Sequence, residues 1–421
     1  MKVEEMVLVS IDDHVIEPPD MFDRHMPERY RGQAPRIVRT EAGVDQWEFL
    51  GTKTGSVGLN AVATWPHSEW SFDPVGFAEM RPGAYDLHSR IRDMDVNGVL
   101  ASMCFPTFAG FAGSHLAGFG QHEPELTNVV VSAYNDWHID EWCGTYPGRM
   151  IPMCIGSTWS PDALVAEINR VAKKGCKAIT MPETPYGIGL PSFYTEYWDP
   201  IFTALCDNDM AACMHIGGAF NLLQSPPEAG ADHLIMLAPQ LSALTANDLI
   251  VGGVFKRFPD LRVALSEGGI GWIPFYLDRL DRHIENQSWT GLEIDGSART
   301  PTEIFREHFL ACFVTDPSAL RLIDRIGEDI VAWECDYPHS DSSWPRSPEM
   351  LWDECAGAGL SDAQVHKISW ENACRFFRHD PFEHIPRQQA TVAALRSTAT
   401  DVDTSETSKA EYRRRFEAAL A

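Results

Sequence analysis

Eight short apolar runs, each followed by a longer stretch of mixed polarity, leave this chain few ways to fold. The first is Met6-Val7-Leu8-Val9. Then come Gly98 to Pro106, Met150 to Gly156, Cys176 to Glu183, Ala211 to Gly218, Leu261 to Gly269, Phe309 to Pro317 and Ile330 to Asp341. Between nearly all of them the pattern turns helical, as in "SPDALVAEINRVAKKG". Strands that alternate with helices must run parallel, because the helix returns the chain to the same edge, and eight such units predict a (β/α)8 TIM barrel of the α/β class. The competing architecture is a doubly wound open sheet. No G-x-G-x-x-G follows any of the runs, and nothing resembles a phosphate loop.

Two segments fall outside the repeat. Residues 30–85, with "QWEFLGTKTG" and "ATWPHSEWSFDP", are rich in aromatics, Gly and Pro and are expected to form an inserted hairpin and loops over the barrel mouth. After Phe382 the apolar periodicity fades until a last short helix. The expected division is therefore a barrel over 1–382 and an arm over 383–421, lying on the surface or on a partner subunit. A length of 421 residues fits one barrel with insertions.

A formal net charge of −26 argues against nucleic acid and anionic membranes as partners, both of which would repel the chain at long range. No apolar stretch reaches the ~18 residues of a membrane span, and the N-terminus lacks a signal-peptide layout, so a cytoplasmic protein acting on a small molecule is expected, as a homodimer. The ten cysteines are scattered without a C-x-x-C pair and read as buried reduced thiols.

In a parallel barrel the C-terminal strand ends converge on one mouth, where catalytic groups sit. The first run ends in Asp12-x-His14, the fourth in Glu183, the fifth in His215 and the sixth in Glu267; the eighth ends in Asp336, with His339 three residues on. Alternation puts Asp12 and His14 on one face and Asp13 elsewhere. Any one of these residues has an ordinary explanation as a cap, a turn former or a satisfied core histidine. Their coincidence at equivalent strand ends points to a divalent metal site of imidazole and carboxylate ligands. Trp65, Trp70, Phe105, Phe108, Phe111 and Trp272 are expected to line an apolar entrance. In "SRIRDMDVNGV", Arg90 and Asp93 read as a surface pair on a helix.

The Asp-x-His of the first strand, the lone histidine of "MHIGG", and the stretches "SEGGIGWIPFYLDRLDR" and "WECDYPHSD" resemble the amidohydrolase superfamily, in the branch that includes aminocarboxymuconate-semialdehyde decarboxylase. The resemblance runs from about Val9 to about Phe382 and implies that Asp12, His14, His215 and Asp336 hold the metal. Asp12 stands where that family usually has histidine, and Glu267 stands where the decarboxylases usually have one. Such an oxygen-rich site suits hard ions, with iron the favoured expectation and manganese or zinc also admissible, and has room for one ion or two, the second completed by His339 with Glu183 or Glu267.

A metal-activated water beside a polarised carbonyl would make the protein a hydrolase, with Asp336 and His339 as catalytic groups and Asp336 as the proton shuttle. The preferred expectation is cleavage of a thioester of a bulky apolar acid, since the set also resembles a type III non-haem di-iron thioesterase of diterpenoid biosynthesis. The alternative is a metal-dependent non-oxidative decarboxylase of an aromatic or unsaturated acid. A non-catalytic barrel is disfavoured because every required position carries a competent residue.

Overall fold

A computed structural model of the chain describes residues 1–71, 76–219, 226, 228–287, 289 and 299–420. The chain opens with strand β1 (Val9–Val15) and then departs into a three-stranded antiparallel sheet of β2 (Arg36–Arg39), β3 (Asp45–Phe49) and β4 (Thr52–Ser56). This sheet occupies the predicted insertion. It is held by the buried face of β3, from which Trp47 packs against Phe22 and Phe108 at 5.5 and 5.0 Å between ring centroids.

The barrel resumes with β5 (Ala101–Pro106), β6 (Met153–Cys154), β7 (Ala178–Thr180), β8 (Ala211–His215), β9 (Val263–Ser266), β10 (Phe309–Phe313) and β11 (Val331–Trp333). Strands β6 to β11 pair in sequence order, all parallel, and β1 pairs parallel with β5. A parallel bridge from Ser102 to Met150 joins these two groups on one side. On the other side the ring closes through backbone hydrogen bonds from Asp336 N to Asp12 O (2.8 Å) and from His14 N to Tyr337 O (2.7 Å). The eight-stranded barrel expected from the repeat is the observed architecture.

Alternation along the strands sorts side chains into two cores. Val7, Val9, Ile11, Ala101, Met103, Phe105, Ala178, Ala211, Cys213, Ala264, Leu310, Cys312 and Ala332 fill the barrel interior. The intervening residues, such as Ile179, Ala212, Met214, Leu265 and Trp333, pack outward against the helices. Many interior residues are small, which lets eight strands close around them.

The C-terminal residues lie on the chain's own surface. Val392 N donates to Met6 O, and Arg396 pairs with Glu349 at 2.5 Å. In the last helix, Lys409–Leu420, Tyr412 is buried in a small cluster with Val62 and Trp65. No helix among the described residues is long and apolar enough to cross a membrane, and all ten cysteines are free.

Candidate metal centre

Simple alternation from Val9 and Ile11 would send Asp13 into the barrel. A register shift between Ser10 and Asp13 adds one residue to β1, reverses the alternation, and turns Asp12 and His14 inward instead. Asp13 then faces outward, where it accepts from the hydroxyl of Ser102 and from Tyr337 N. At the other strand ends no such device is needed for His215, which continues the inward series Ala211, Cys213, or for Asp336, which continues Ala332, Glu334. Glu267 and Asp336 hold backbone φ angles of 56° and 58°. This left-handed conformation costs a non-glycine residue about 1 kcal/mol or more, and strain of this kind concentrates at functional sites.

The ligand atoms of Asp12, His14 and His215 lie within 4.8 Å of one another, as do those of His14, Asp336 and His339. His14 Nε2 is 3.5 Å from Asp12 Oδ1 and 3.2 Å from Asp336 Oδ1; His215 Nε2 is 3.4 Å from Asp12 Oδ2; His339 Nδ1 is 2.9 Å from Asp336 Oδ1. All five residues are buried. Both carboxylate oxygens of Asp12 and Asp336, both ring nitrogens of His14 and Nε2 of His215 have no hydrogen-bond partner. Buried polar atoms are rarely left so, because each costs about 1–3 kcal/mol when unsatisfied. Orphaned lone pairs gathered in two groups that share His14 are what a cation would satisfy. His215 fits that role in detail: its Nδ1 donates to the carbonyl of Ile216 at 2.6 Å, which fixes the tautomer and leaves the Nε2 lone pair toward the cluster.

The electrostatics agree. Burial, reinforced by His339, holds His14 well below the usual histidine range, and burial takes His215 down to about 4, so both rings are neutral and able to ligate. Burial followed by repulsion from Glu334, Glu267 and Asp336 pushes Asp12 well up; burial followed by Asp336 and Glu334 does the same to Glu267. For Asp336 burial acts upward too, but His339 and His14 outweigh it and hold the carboxyl below its ordinary value. Among the described residues no lysine or arginine forms an ion pair with Asp12, Glu183, Glu267, Glu334 or Asp336, so protons or a metal must supply the balancing positive charge.

The other expected ligands stand apart. Glu267 reaches His215 Nε2 at 3.2 Å but belongs to neither three-residue group. Glu183 accepts from Ala219 N at 2.8 Å, clamping the turn after β8, and one of its oxygens has no partner. A further carboxylate escaped the sequence reading. Glu334 is fully buried, one oxygen accepts from Glu267 N at 3.3 Å, and the other is orphaned. Its spacing of two from Asp336 was the available signal, since both follow Ala332 on the inward face.

Of the expected entrance aromatics, Phe105 lies 4.8 Å from His215, and Phe111 lies 4.7 Å from His14 and 4.3 Å from His215. The loop bearing Phe111 is fixed by Glu17, whose carboxylate accepts from Thr107 N and Phe108 N, and by Thr180, whose hydroxyl donates to Phe111 O. Trp65, Phe108 and Trp272 pack elsewhere. Trp65 joins Val62 and Tyr412 under the last helix, Phe108 anchors the inserted sheet, and Trp272 packs on Tyr276 and Phe305. Arg90 and Asp93 are not the surface pair expected: Arg90 is fully buried, and Asp93 is paired with Arg81 at 2.7 Å.

Residues 59–379 match the amidohydrolase family model. Among solved structures, an amidohydrolase from Mycobacterium avium subsp. paratuberculosis is 21% identical, with a TM-score of 0.68 and coverage of 88% of this chain and 99% of that one. IDCase of Metarhizium anisopliae is 20% identical, with a TM-score of 0.65 over 90% and 98% of the two chains. The 5-carboxyvanillate decarboxylase of Novosphingobium aromaticivorans, solved with manganese and 4-hydroxy-3-methoxy-5-nitrobenzoic acid, is 19% identical, with a TM-score of 0.59 over 90% and 98%. At these identities the likeness is one of fold.

Proposed function

From the chain's membership of the amidohydrolase family we propose that it is a metal-dependent, non-oxidative decarboxylase of an aromatic or otherwise unsaturated carboxylic acid. The observation that carries this reading is the pair of phenyl rings, Phe105 and Phe111, set against the imidazoles of His14 and His215. Such a wall suits a planar, conjugated acid placed over the carboxylate–imidazole cluster. The decarboxylase of Novosphingobium, with a benzoic acid and manganese bound, supports both the substrate class and the metal.

Thioester hydrolysis, the reaction expected first, has less behind it. A chain of net charge −26 weighs mildly against so anionic a substrate as an acyl carrier bearing several phosphates. Iron likewise has no finding in its favour, and manganese is the ion we propose.

Asp12, His14, His215 and Asp336 would hold the ion. When bound, a divalent cation supplies Lewis-acid charge that neutralises the buried carboxylates and orients substrate oxygens. The remaining work falls to the chain's own groups. Phe105 and Phe111 exclude water and hold the plane of the substrate. The bond between the substrate carbon and its carboxylate breaks, carbon dioxide leaves, and the electron pair stays on the carbon, which then takes a proton. His339, whose Nδ1 lies 2.9 Å from Asp336 Oδ1, stands beside the cluster where it can hand that proton on.

The test is turnover of a panel of hydroxybenzoic and unsaturated acids by manganese-loaded protein in deuterated water. Carbon dioxide release with deuterium at the vacated carbon is the expected result. Incorporation of ¹⁸O from labelled water into the acid released from a thioester or ester, with no carbon dioxide from any acid, would reverse the choice.

A further inference from the structure

Arg90 is a fully buried cation behind the centre, and the chemistry above leaves it unused. It projects from the helix Leu87–Asn97. Its Nη2 donates to the backbone carbonyl of His14, its Nε donates to Gly83 O at 2.6 Å, and its guanidinium carbon lies 4.5 Å from the centre of the Tyr337 ring. His14 is a candidate ligand, and Tyr337 directly follows another, Asp336. The same two stretches are laced by backbone contacts from Asp336 N to Asp12 O and from His14 N to Tyr337 O. Asp13, on the outer face of β1, accepts from Tyr337 N at 2.9 Å and from the Ser102 hydroxyl. Two of the strand ends that carry the cluster thus share one bracket on their outer side, made of Arg90 and Asp13.

We propose that Arg90, assisted by Asp13, is a positioning residue for the metal centre: by gripping the His14 carbonyl and the Tyr337 ring it sets the angle at which the side chains of His14 and Asp336 meet. A planar guanidinium offers donors in a fixed fork, so it can satisfy two carbonyls and lie on a ring at once, which a lysine ammonium cannot. The inference rests on His14 and Asp336 acting as ligands. Its rival is that Arg90 is only a core strut, and the fold supplies a control for that. Arg149 is also buried, and its side chain donates to the carbonyls of Leu100 and Val99 and to Asp95, bonding to none of the residues that flank the cluster; only its backbone carbonyl, which the substitution leaves in place, accepts from Ser102 N at 3.0 Å.

The experiment compares wild type, Arg90→Lys, Ser102→Ala and Arg149→Lys by titration with Mn²⁺, by the visible spectrum of the Co²⁺-loaded protein, and by thermal unfolding. Arg90→Lys is expected to weaken Mn²⁺ binding ~10–100-fold, as loss of groups that orient metal ligands generally does, and to shift the Co²⁺ bands. Ser102→Ala, which frees one Asp13 oxygen at little change in packing, should move both readouts in the same direction by less. Arg149→Lys should lose thermal stability while keeping wild-type affinity and spectrum. Wild-type affinity and spectrum in both Arg90→Lys and Ser102→Ala overturn the proposal, as does an equal loss in Arg149→Lys. Failure of the wild type itself to bind Mn²⁺ removes the metal centre, and the bracket's role with it.

Discussion

Replacing Glu183 by glutamine separates a ligand from a clamp. In the structure its Oε2 accepts from Ala219 N at 2.8 Å, and burial pushes the carboxyl up to about 7 from its ordinary 4.5. A folded-state pKa above the unfolded one means that folding favours the neutral acid. The stability this contributes is fully present below about pH 4.5 and is lost as pH rises through about 7. Linkage over that window gives about 2.5 kcal/mol between pH 8 and pH 5. With roughly 2.1 cal/mol/K of unfolding entropy per residue, a chain of 421 residues shifts its Tm by about 1 °C per kcal/mol, so the effect is about 3 °C. Glutamine does not titrate. The Tm of metal-free wild type minus that of Glu183→Gln should therefore grow by about 3 °C from pH 8 to pH 5, followed by scanning calorimetry in chelator. A difference that stays flat with pH would refute the reasoning, and loss of Mn²⁺ binding in Glu183→Gln would return the residue to the ligands.

Three further outcomes follow from the same geometry. Asp336→Asn is nearly isosteric and should keep the fold while lowering turnover ~10²–10⁴-fold, read as kcat at saturating metal. Phe111→Ala removes half of the aromatic wall but no ligand, so KM for an aromatic acid should rise roughly tenfold while bound metal, read by elemental analysis, stays at the wild-type level. Tyr412→Ala, which empties the cluster of Val62, Trp65 and Tyr412, should cost roughly 3 kcal/mol locally; limited proteolysis should then cut the last helix while the barrel resists.

The barrel was readable because each strand is a short β-forming run followed by a helical stretch, because five of the eight runs end in a carboxylate or imidazole, and because alternation carries His215 and Asp336 inward without outside help. The first strand was readable only in part. Asp12 and His14 do share a face, but it is the extra residue between Ser10 and Asp13 that makes this the inner one, and a bulge leaves no fixed mark in sequence. Arg90 misled because a charged residue on a helix is usually solvated; here two backbone carbonyls and the Tyr337 ring, brought from distant segments, hold it in the core. Trp65, Phe108 and Trp272 show the same limit for aromatics. Composition reveals that a ring will be covered, whereas tertiary contacts decide whether a substrate, an inserted sheet or the last helix covers it. Glu334 lay within reach of the period-two rule and was hidden only by its neighbours in "WECDYPH".

The most direct test of the account is a crystal structure of the manganese-loaded protein, with anomalous scattering recorded at the manganese edge. The account predicts an anomalous peak bounded by Asp12, His14, His215 and Asp336 at roughly 2.0–2.3 Å from their ligand atoms, with Glu183 still hydrogen-bonded to Ala219 N. No peak among these residues, in protein that remains fully active after chelation, would contradict it.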